Sequence, residues 1–172
     1  MADRKHLREF QARLSERLRQ AASATGEAAR LGVLVGGRRL LIELSEAGEI
    51  VAFNVAVTPV PLTHDWFKGL VSLRGSLYGV SDLARFQGGE LTQTTKEARL
   101  VAFAPRLNLN GAILVDRMLG LQNTGSMAGC ESTETSGQPW LGRVWSDADG
   151  SCWTELSLEK LAGDERFLAV SR

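Results

Sequence analysis

The chain has 172 residues, of which 44% are hydrophobic, so it is long and apolar enough for one folded domain and not for wholesale disorder. Twenty Lys and Arg residues balance twenty Asp and Glu residues, and this neutrality argues against a nucleic-acid-binding protein with its usual basic excess. No apolar run approaches the roughly 20 residues of a membrane helix and the N-terminus is charged, so we expect a cytoplasmic protein without direct membrane insertion.

The first segment predicts an amphipathic helix from Asp3 to about Ala24, because apolar residues recur on one face at steps of three and four: Leu7, Phe10, Leu14, Leu18 and Ala21. The small residues at 21–26 then suggest a linker. We therefore expect a boundary between residues 1–26, helix and linker, and residues 27–172, the folded domain. The helix could dock on its own domain or on a partner.

After the linker the pattern changes to short strands separated by turn residues. Gly36-Gly37 predicts a tight hairpin turn, and a second hairpin is expected around Asn108–Gly111, where Asn110-Gly111 is a strong turn pair. Pro59 and Pro61 bracket an extended crossing segment. The predicted strands are Leu31–Val35, Leu40–Leu44, Glu49–Val51, Phe53–Val57, Gly69–Leu73, Leu77–Val80, Arg99–Ala104, Gly111–Val115, Asp116–Leu121, Leu141–Trp145 and Cys152–Leu156.

Helices are few and short in the predicted domain. One helical turn is expected at Leu83–Phe86 and a short helix at Leu158–Ala162, before a tail at Phe167–Val170. The polar stretches 90–96 and 123–138 predict loops. Many short strands with few helices indicate a mainly β fold of the barrel or sandwich type.

One hairpin stands out at Trp66–Leu83. Gly69 adds no side chain to its strand and lets another backbone approach closely, and Gly75 can take a positive φ just after Arg74. The hairpin therefore leaves a guanidinium on a rigid turn between apolar strands. From the residues alone, that Arg is either merely solvated or part of a binding surface.

Candidate catalytic and metal-binding residues are poorly arranged. Ser126 lies in a glycine-flanked stretch without the spacing of a nucleophile elbow, and adjacent His64 and Asp65 rarely suit a general base and its orienting carboxylate. Cys130 and Cys152 form no CxxC pair, and with two histidines in the chain they offer no usual metal-ligand spacing. We expect no metal, no cofactor and no enzymatic activity, and a binding module instead.

The hairpin sequence resembles a known signature. Gly-Leu-Val-Ser-Leu-Arg-Gly at 69–75, followed by Tyr-Gly-Val-Ser-Asp-Leu at 78–83, is similar to the "G-x-x-N-L-R-G…P-x-x-D-L" motif of the CheW-like family. The stretches 40–50, 59–61, 113–120 and 140–161 extend the resemblance along most of the domain. The N-terminal extension and the divergent C-terminal end are most similar to the PilI-type subgroup, which serves the chemosensory system of type IV pilus twitching motility.

The resemblance implies a fold of two five-stranded SH3-like β-barrels that share a hydrophobic seam, with the N-terminal amphipathic helix and a short C-terminal helix. It also implies a non-enzymatic signalling adaptor that couples a chemoreceptor to a CheA-type histidine kinase. The expected partners are the regulatory domain of the kinase and the cytoplasmic tip of a methyl-accepting chemoreceptor, bound in the groove between the barrels.

By resemblance, receptor or kinase contacts fall on seven positions: Glu49, Ile50, Gly69, Val71, Leu73, Arg74 and Gly75. Four more motif positions are expected to be structural: Asp82, Leu83, Asp116 and Gly120. An ion pair between Glu49 and Arg74 is expected near the groove. Turn and packing geometry alone would equally account for Gly69 and Gly75.

The chain departs from the family pattern at several positions. Ser72 replaces the motif Asn, Tyr78-Gly79-Val80 replaces the segment with the usual Pro, and Arg117-Met118 replaces a Glu-Val pair. The alternative function is a small barrel that binds single-stranded nucleic acid, which needs basic residues interleaved with exposed aromatics. Arg38 and Arg39 beside Phe53 offer only a weak form of that pattern.

Overall fold

A computed structural model describes residues 29–131 and 137–172 of the chain. Within these residues the strands are β1 (Ala29–Val35), β2 (Arg38–Glu43), β3 (Ala47–Ala52), β4 (Phe67–Leu73), β5 (Ser76–Asp82), β6 (Arg99–Phe103), β7 (Gly111–Val115), β8 (Arg117–Asn123), β9 (Ala128–Cys130), β10 (Leu141–Ser146) and β11 (Cys152–Leu156). The helices are α1 (Leu83–Phe86), α2 (Leu158–Ala162) and α3 (Glu165–Leu168), with 3₁₀ turns at Pro105–Leu107 and Thr124–Ser126. The helix predicted from Asp3 to Ala24 and the boundary after residue 26 lie outside the described residues.

Two mixed sheets make up the described fold. One has six strands in the order β8-β1-β2-β11-β10-β9, and the other has five in the order β3-β6-β7-β5-β4. The pairs β2–β11 and β5–β7 are parallel, and the remaining pairs are antiparallel. The five-stranded sheet is formed by the consecutive strands β3 to β7. The six-stranded sheet combines β1 and β2, which precede that stretch, with β8 to β11, which follow it. The predicted mainly β fold is confirmed, with six and five strands in place of five in each sheet.

Strands β6 and β7 are buried on both faces and separate two apolar clusters. Since successive side chains of a strand point to opposite faces, alternate residues enter alternate clusters. The larger cluster also holds side chains of β1, β2, α1, α2 and α3, and receives Val101, Phe103, Ile113 and Val115. The smaller cluster holds side chains of β4 and β5, and receives Leu100, Ala102, Ala112 and Leu114. This pair of strands is therefore the wall between two cores.

The hairpin predicted at Gly36-Gly37 forms as expected between β1 and β2. Gly36 and Gly37 have φ of 56° and 79°, the positive values that a two-residue turn of type I′ requires. The backbone N–H of Gly36 donates to Asp116 Oδ2 at 2.7 Å, and the N–H of Asp116 donates to the Leu34 carbonyl at 2.9 Å. Asp116 thus ties the β1–β2 turn to the junction between β7 and β8.

The β10–β11 turn is organised by Asp147. Its Oδ1 accepts from the N–H groups of Asp149 at 3.0 Å and Ser151 at 2.9 Å, and its Oδ2 accepts from Trp153 Nε1 at 2.9 Å. The Trp153 indole, with help from the two backbone donors, holds the pKa of the Asp147 carboxyl below its usual value. The strands predicted at Leu141–Trp145 and Cys152–Leu156 are confirmed, and they pair antiparallel across this turn.

The strand predicted at Phe53–Val57 was wrong. Phe53, Val55 and Val57 pack partly buried against the smaller cluster while the residues between them are exposed, so the segment is extended. Its backbone bonds only at its two ends, where the Phe53 N–H donates to the Ala98 carbonyl and Thr58 pairs with Leu70. Because the segment packs on one side only, its apolar and polar residues alternate as in a strand, although no strand among the described residues pairs with it.

Other differences concern short elements. The hairpin predicted around Asn108–Gly111 is confirmed, since β6 and β7 pair antiparallel. Its connection turns at Asn108, which has a φ of 53°, and not at Asn110-Gly111, because Gly111 already belongs to β7. Strand β9 lies within the stretch 123–138 that was predicted to be a loop, and α3 lies at the start of the predicted tail. The three residues of β9 and the four of α3 carry too little periodicity for the sequence pattern to reveal either element.

The segment at Thr58-Pro59 crosses β4 at Gly69. The N–H and carbonyl of Thr58 bond the carbonyl and N–H of Leu70, both at 2.8 Å. A Cβ on Gly69 would overlap the Thr58 carbonyl oxygen and stand 2.9 Å from Pro59 Cα, and the φ of Gly69 is 129°. The crossing therefore needs a glycine here, as the sequence predicted for a close backbone approach.

Glu46 connects the start of β3 to the C-terminal helix α2. Its side chain is 4% exposed, and its Oε2 accepts from the N–H of Leu158 at 2.7 Å while its Oε1 accepts from Ser157 Oγ at 3.1 Å. The first N–H groups of a helix lack partners within the helix, so this carboxylate satisfies one of them inside the protein. No motif in the sequence pointed to this contact.

An aromatic cluster attaches α3 to the rest of the domain. Phe167 stacks on Trp66 with ring centroids 6.0 Å apart and also lies 5.2 Å from Phe86 and 5.9 Å from Phe103. Trp140 packs on Phe86 at 5.2 Å. The rings come from the segment before β4, from α1, from β6 and from the chain after β9, so the cluster joins both sheets.

We predict that Gly69→Ala lowers the free energy of unfolding by about 3 kcal/mol or more, because it adds a backbone overlap to a positive φ. Gly75→Ala is the matched control: φ is also positive at 81°, but a Cβ there meets nothing within 4 Å. It should cost only about 1 kcal/mol. Urea unfolding measures both, and equal losses would contradict a required close crossing.

We also predict that Glu46→Ala lowers the free energy of unfolding by about 2–4 kcal/mol, since it leaves a buried N–H unpaired and a cavity beside α2. Glu46→Gln keeps one acceptor oxygen and should lose less. Glu159→Ala, on the exposed side of the same helix, should have little effect. If Glu46→Ala unfolds at the same urea concentration as Glu159→Ala, the buried cap does not stabilise the fold.

Candidate functional site

The turn between β4 and β5 presents Arg74 to solvent. Arg74 and Gly75 have φ of 50° and 81°, positive at both central residues as in a type I′ turn, and the flanking Leu73 and Ser76 pair. The sequence predicted a positive φ for Gly75 but not for Arg74. A left-handed backbone is unfavourable for a residue with a long side chain, so the hairpin holds Arg74 there at a cost.

The predicted ion pair is present. Arg74 Nε lies 3.1 Å from Glu49 Oε1, with the two side chains 73% and 31% exposed. Exposed pairs of this kind contribute only about 0–1 kcal/mol to stability, because water screens them. Glu49 belongs to β3 and Arg74 follows β4, and these strands are the opposite edges of the five-stranded sheet. The pair therefore marks where the two edges approach each other.

The seven positions expected to contact partners separate into two groups. Arg74, Glu49, Gly75 and Ile50 lie at the surface or partly so, with Ile50 40% exposed. The other three positions are interior. Val71 and Leu73 belong to the smaller cluster, and Gly69 is buried under the crossing segment. Val71 and Leu73 are only 2% and 7% exposed, and the Thr58-Pro59 backbone covers Gly69.

Asp82 and Leu83, the end of the motif, are both fully buried. Asp82 is fully buried, and its carboxylate accepts from the N–H of Thr92 at 2.8 Å, from Thr92 Oγ1 at 2.8 Å and from the N–H of Arg85 at 3.3 Å. It thereby begins α1 and fixes the loop after it at Thr92. Leu83 is fully buried in the larger cluster.

Gly120 lies at an irregularity in the β1–β8 pairing. Gly32 pairs with Gly120 while Val33 pairs with Met118, so one residue of β8 is extra, and Gly120 has a φ of 78°. A bulge of this kind accommodates a residue with positive φ, for which glycine is the ordinary choice. Gly120 thus lies at a bulge between β1 and β8, and Asp116, between β7 and β8, accepts a hydrogen bond from the β1–β2 turn.

The described residues offer little for catalysis. His64 stacks on Trp66, whereas Asp65 Oδ2 pairs with the Arg85 guanidinium at 2.6 Å, so the two are not a base and its orienting acid. That hydrogen-bonded guanidinium lowers the pKa of Asp65. Ser126 Oγ donates to the Asn123 carbonyl at 2.9 Å. In residues 29–131 and 137–172, no three His, Cys, Asp or Glu side chains group as a metal site.

Phe53 and Arg39, which were considered for nucleic-acid binding, both pack against other parts of the protein. Phe53 packs against the smaller cluster, and Arg39 lies over the ring of Trp153, 5.8 Å from its centroid, where the indole is itself buried. Neither ring offers a stacking surface for a base. Among the helices of the described part of the chain, none is long and apolar enough to cross a membrane.

Comparison with known proteins agrees with the geometry of the motif. The family described as CheW-like domain matches residues 30–166. Protein PilI of Pseudomonas aeruginosa is 28% identical over 144 residues, which cover 82% of this chain and 79% of that protein. The crystal structure of the scaffolding protein TtCheW from Thermoanaerobacter tengcongensis aligns with a TM-score of 0.65 at 17% identity, covering 77% of this chain and 90% of that one.

The family match spans most of the chain and includes the Trp66–Leu83 hairpin, the Glu49–Arg74 pair and all strands from β2 to β11. The structural match independently supports the same two-sheet fold. The chain belongs to the CheW-like domain family.

Proposed function

We propose that this protein couples a chemoreceptor to a CheA-type histidine kinase in a chemotaxis or twitching-motility pathway. CheW-like proteins are non-enzymatic adaptors and scaffolds of chemotaxis-type systems, and the chain is an adaptor of that class. Its similarity to Protein PilI supports the pathway that controls type IV pili. The cytoplasm is the compartment in which both partners would be met.

The observation that carries the proposal is the exposed Arg74 on its rigid turn. The guanidinium is largely in water, its backbone is held left-handed, and Glu49 orients it from the opposite edge of the sheet. A pair so exposed contributes little to stability, whereas a fixed guanidinium is well suited to recognising a carboxylate of a partner. The left-handed backbone of Arg74 costs free energy that the exposed ion pair does not recover, so a role in recognition explains this conformation better than a role in folding.

Each sheet is proposed to close into one of two SH3-like barrels. The Thr58–Leu70 bridge and the Glu49–Arg74 pair connect the two edges of the five-stranded sheet, which supports closure there. In the six-stranded sheet the edge strands β8 and β9 follow each other in the chain across Thr124–Ser126. Residues 27–172 would form this domain, and residues 1–26 its helical extension and linker.

The partners are assigned to different parts of this surface. The cytoplasmic tip of a methyl-accepting chemoreceptor is proposed to bind beside Arg74, Glu49 and Ile50, between the barrels. The regulatory domain of the kinase, itself CheW-like, is proposed to bind by barrel-to-barrel contact. The four partly or fully exposed positions, Glu49, Ile50, Arg74 and Gly75, would carry the direct contacts, while Gly69, Val71 and Leu73 would set the position of the hairpin.

We predict that Arg74→Glu weakens binding of the receptor tip at least tenfold while the free energy of unfolding changes little, since the lost pair is exposed. Glu49→Arg should weaken binding as well, and the double exchange should recover part of the loss if the mutual orientation of the pair matters. Lys160→Glu, an equal charge change at an exposed position of α2, is the control. Titration calorimetry with a soluble receptor-tip fragment measures all four variants.

The kinase arm tests the proposal as a whole. Wild-type protein should bind the regulatory domain of the CheA-type kinase from the same cell with micromolar or tighter affinity, and Arg74→Glu should retain that binding. Retained kinase binding with lost receptor binding places Arg74 at the receptor contact. Failure of the wild-type protein to bind the kinase domain would reject the coupling function.

A further inference from the structure

A groove lies on the side of the domain where the β1–β2 turn, the start of β8 and the loop after α1 meet. We name it the Leu34 groove. Its volume is about 450 Å³, and its apolar lining comes from Leu34, Ala84 and Leu91. Leu91 is a large apolar side chain that remains 49% exposed there. The groove does not include Arg74 or Glu49, so it is separate from the proposed receptor contact.

The walls of the Leu34 groove are held by buried and short hydrogen bonds. The loop after α1 is fixed by Thr92, whose N–H and hydroxyl both donate to the buried Asp82 at 2.8 Å. On the opposite wall the Gly36 N–H donates to Asp116 at 2.7 Å. The cleft is therefore formed before anything binds in it, which lowers the entropic cost of binding.

The charges that line the Leu34 groove are mainly acidic. Glu90, Glu97 and Asp116 stand against one cation, Arg117. An apolar floor with an acidic rim fits an amphipathic segment that carries positive charge. The groove is thus matched to one chemical class of occupant.

The N-terminal segment of this chain has that chemistry. Residues 1–20 contain six Lys and Arg residues against three Asp and Glu residues, and their apolar residues Leu7, Phe10, Leu14 and Leu18 recur at helical spacing. Residues 21–28 span up to about 26 Å when extended, and β1, which leads from Ala29 to the groove at Leu34, is about 20 Å long. The tether is therefore long enough for the segment to reach its own groove.

We propose that residues 1–20 dock into the Leu34 groove of the same molecule, with Leu14 and its neighbouring apolar residues on Leu34 and Leu91 and the basic residues against Glu90 and Glu97. A short tether gives an effective concentration in the millimolar range, so even a weak contact is occupied. The docked segment competes with any basic amphipathic helix of a partner for this cleft.

The test is amide hydrogen exchange on the full-length protein, read at residues 36–37 and 90–95. Leu14→Asp should speed exchange there about twofold or more, because release of a ligand at a concentration near its Kd removes a factor of about two in protection. Ser15→Asp is the control. It also introduces an Asp, but at a position outside the row of apolar residues, so it should leave exchange unchanged. Glu90→Lys with Glu97→Lys should speed exchange at residues 36–37, whereas Glu131→Lys with Asp149→Lys, at exposed positions outside the groove, should not.

Three results would overturn the proposal. The first is equal exchange in wild type, Leu14→Asp and Ser15→Asp. The second is protection that increases with protein concentration, which would place the segment of a second copy in the groove. The third is protection in the wild type only after a partner is added, which would make the groove a partner site alone. The first two results are read on the protein alone, so they do not depend on whether it binds a receptor or a kinase.

Discussion

The close crossing of Thr58-Pro59 over Gly69 is the constraint on which the five-stranded sheet depends. The crossing segment follows β3, one edge of the sheet, and bonds to β4, the other edge. It can lie there only because Gly69 has no side chain and accepts a positive φ. Bringing the edges together in turn places Glu49 within 3.1 Å of Arg74. A buried glycine thus determines the geometry of an exposed ion pair.

The two sheets are not independent, because β6 and β7 serve both cores. A shift of these strands to suit one cluster would disturb the other, since interiors are packed to near crystal density. Glu46 and the aromatic cluster around Phe167 add further connections between the middle of the chain and its C-terminal helices. The strands beneath the surface near Arg74 are therefore held in place by two packed cores.

Sequence patterns predicted most of the fold for identifiable reasons. Gly36-Gly37 and Gly75 marked their turns because few other residues accept a positive φ, and β7 was evident because a strand buried on both faces is continuously apolar. Phe53–Val57 was mistaken for a strand because one-sided burial has the same period as a β-ladder. Glu46 was missed since its partners lie more than 110 residues away, and no local pattern encodes a contact of that range.

The sequence predicted where the candidate site lies, but not which of its residues are buried and which are exposed. The motif located the hairpin and the Glu49–Arg74 pair, yet residues 69–75 alternate between interior and surface in a way that resemblance alone does not separate. Gly69, Val71 and Leu73 are inside, and Arg74 with Gly75 is outside. The division matters because loss of function at an interior position reports on folding and hairpin placement, whereas loss at Arg74 reports on contact.

The most direct test of this division compares two adjacent residues, Leu73→Ala and Arg74→Glu, by measuring the unfolding free energy and the receptor-tip affinity of the folded fraction for each. Leu73→Ala should lose about 2–5 kcal/mol of stability as a large-to-small core change, with the affinity of the folded fraction nearly unchanged. Arg74→Glu should keep its stability and lose affinity. If Leu73→Ala lost affinity without losing stability, Leu73 would be a contact residue, and the assignment of interior and surface roles within the motif would be wrong.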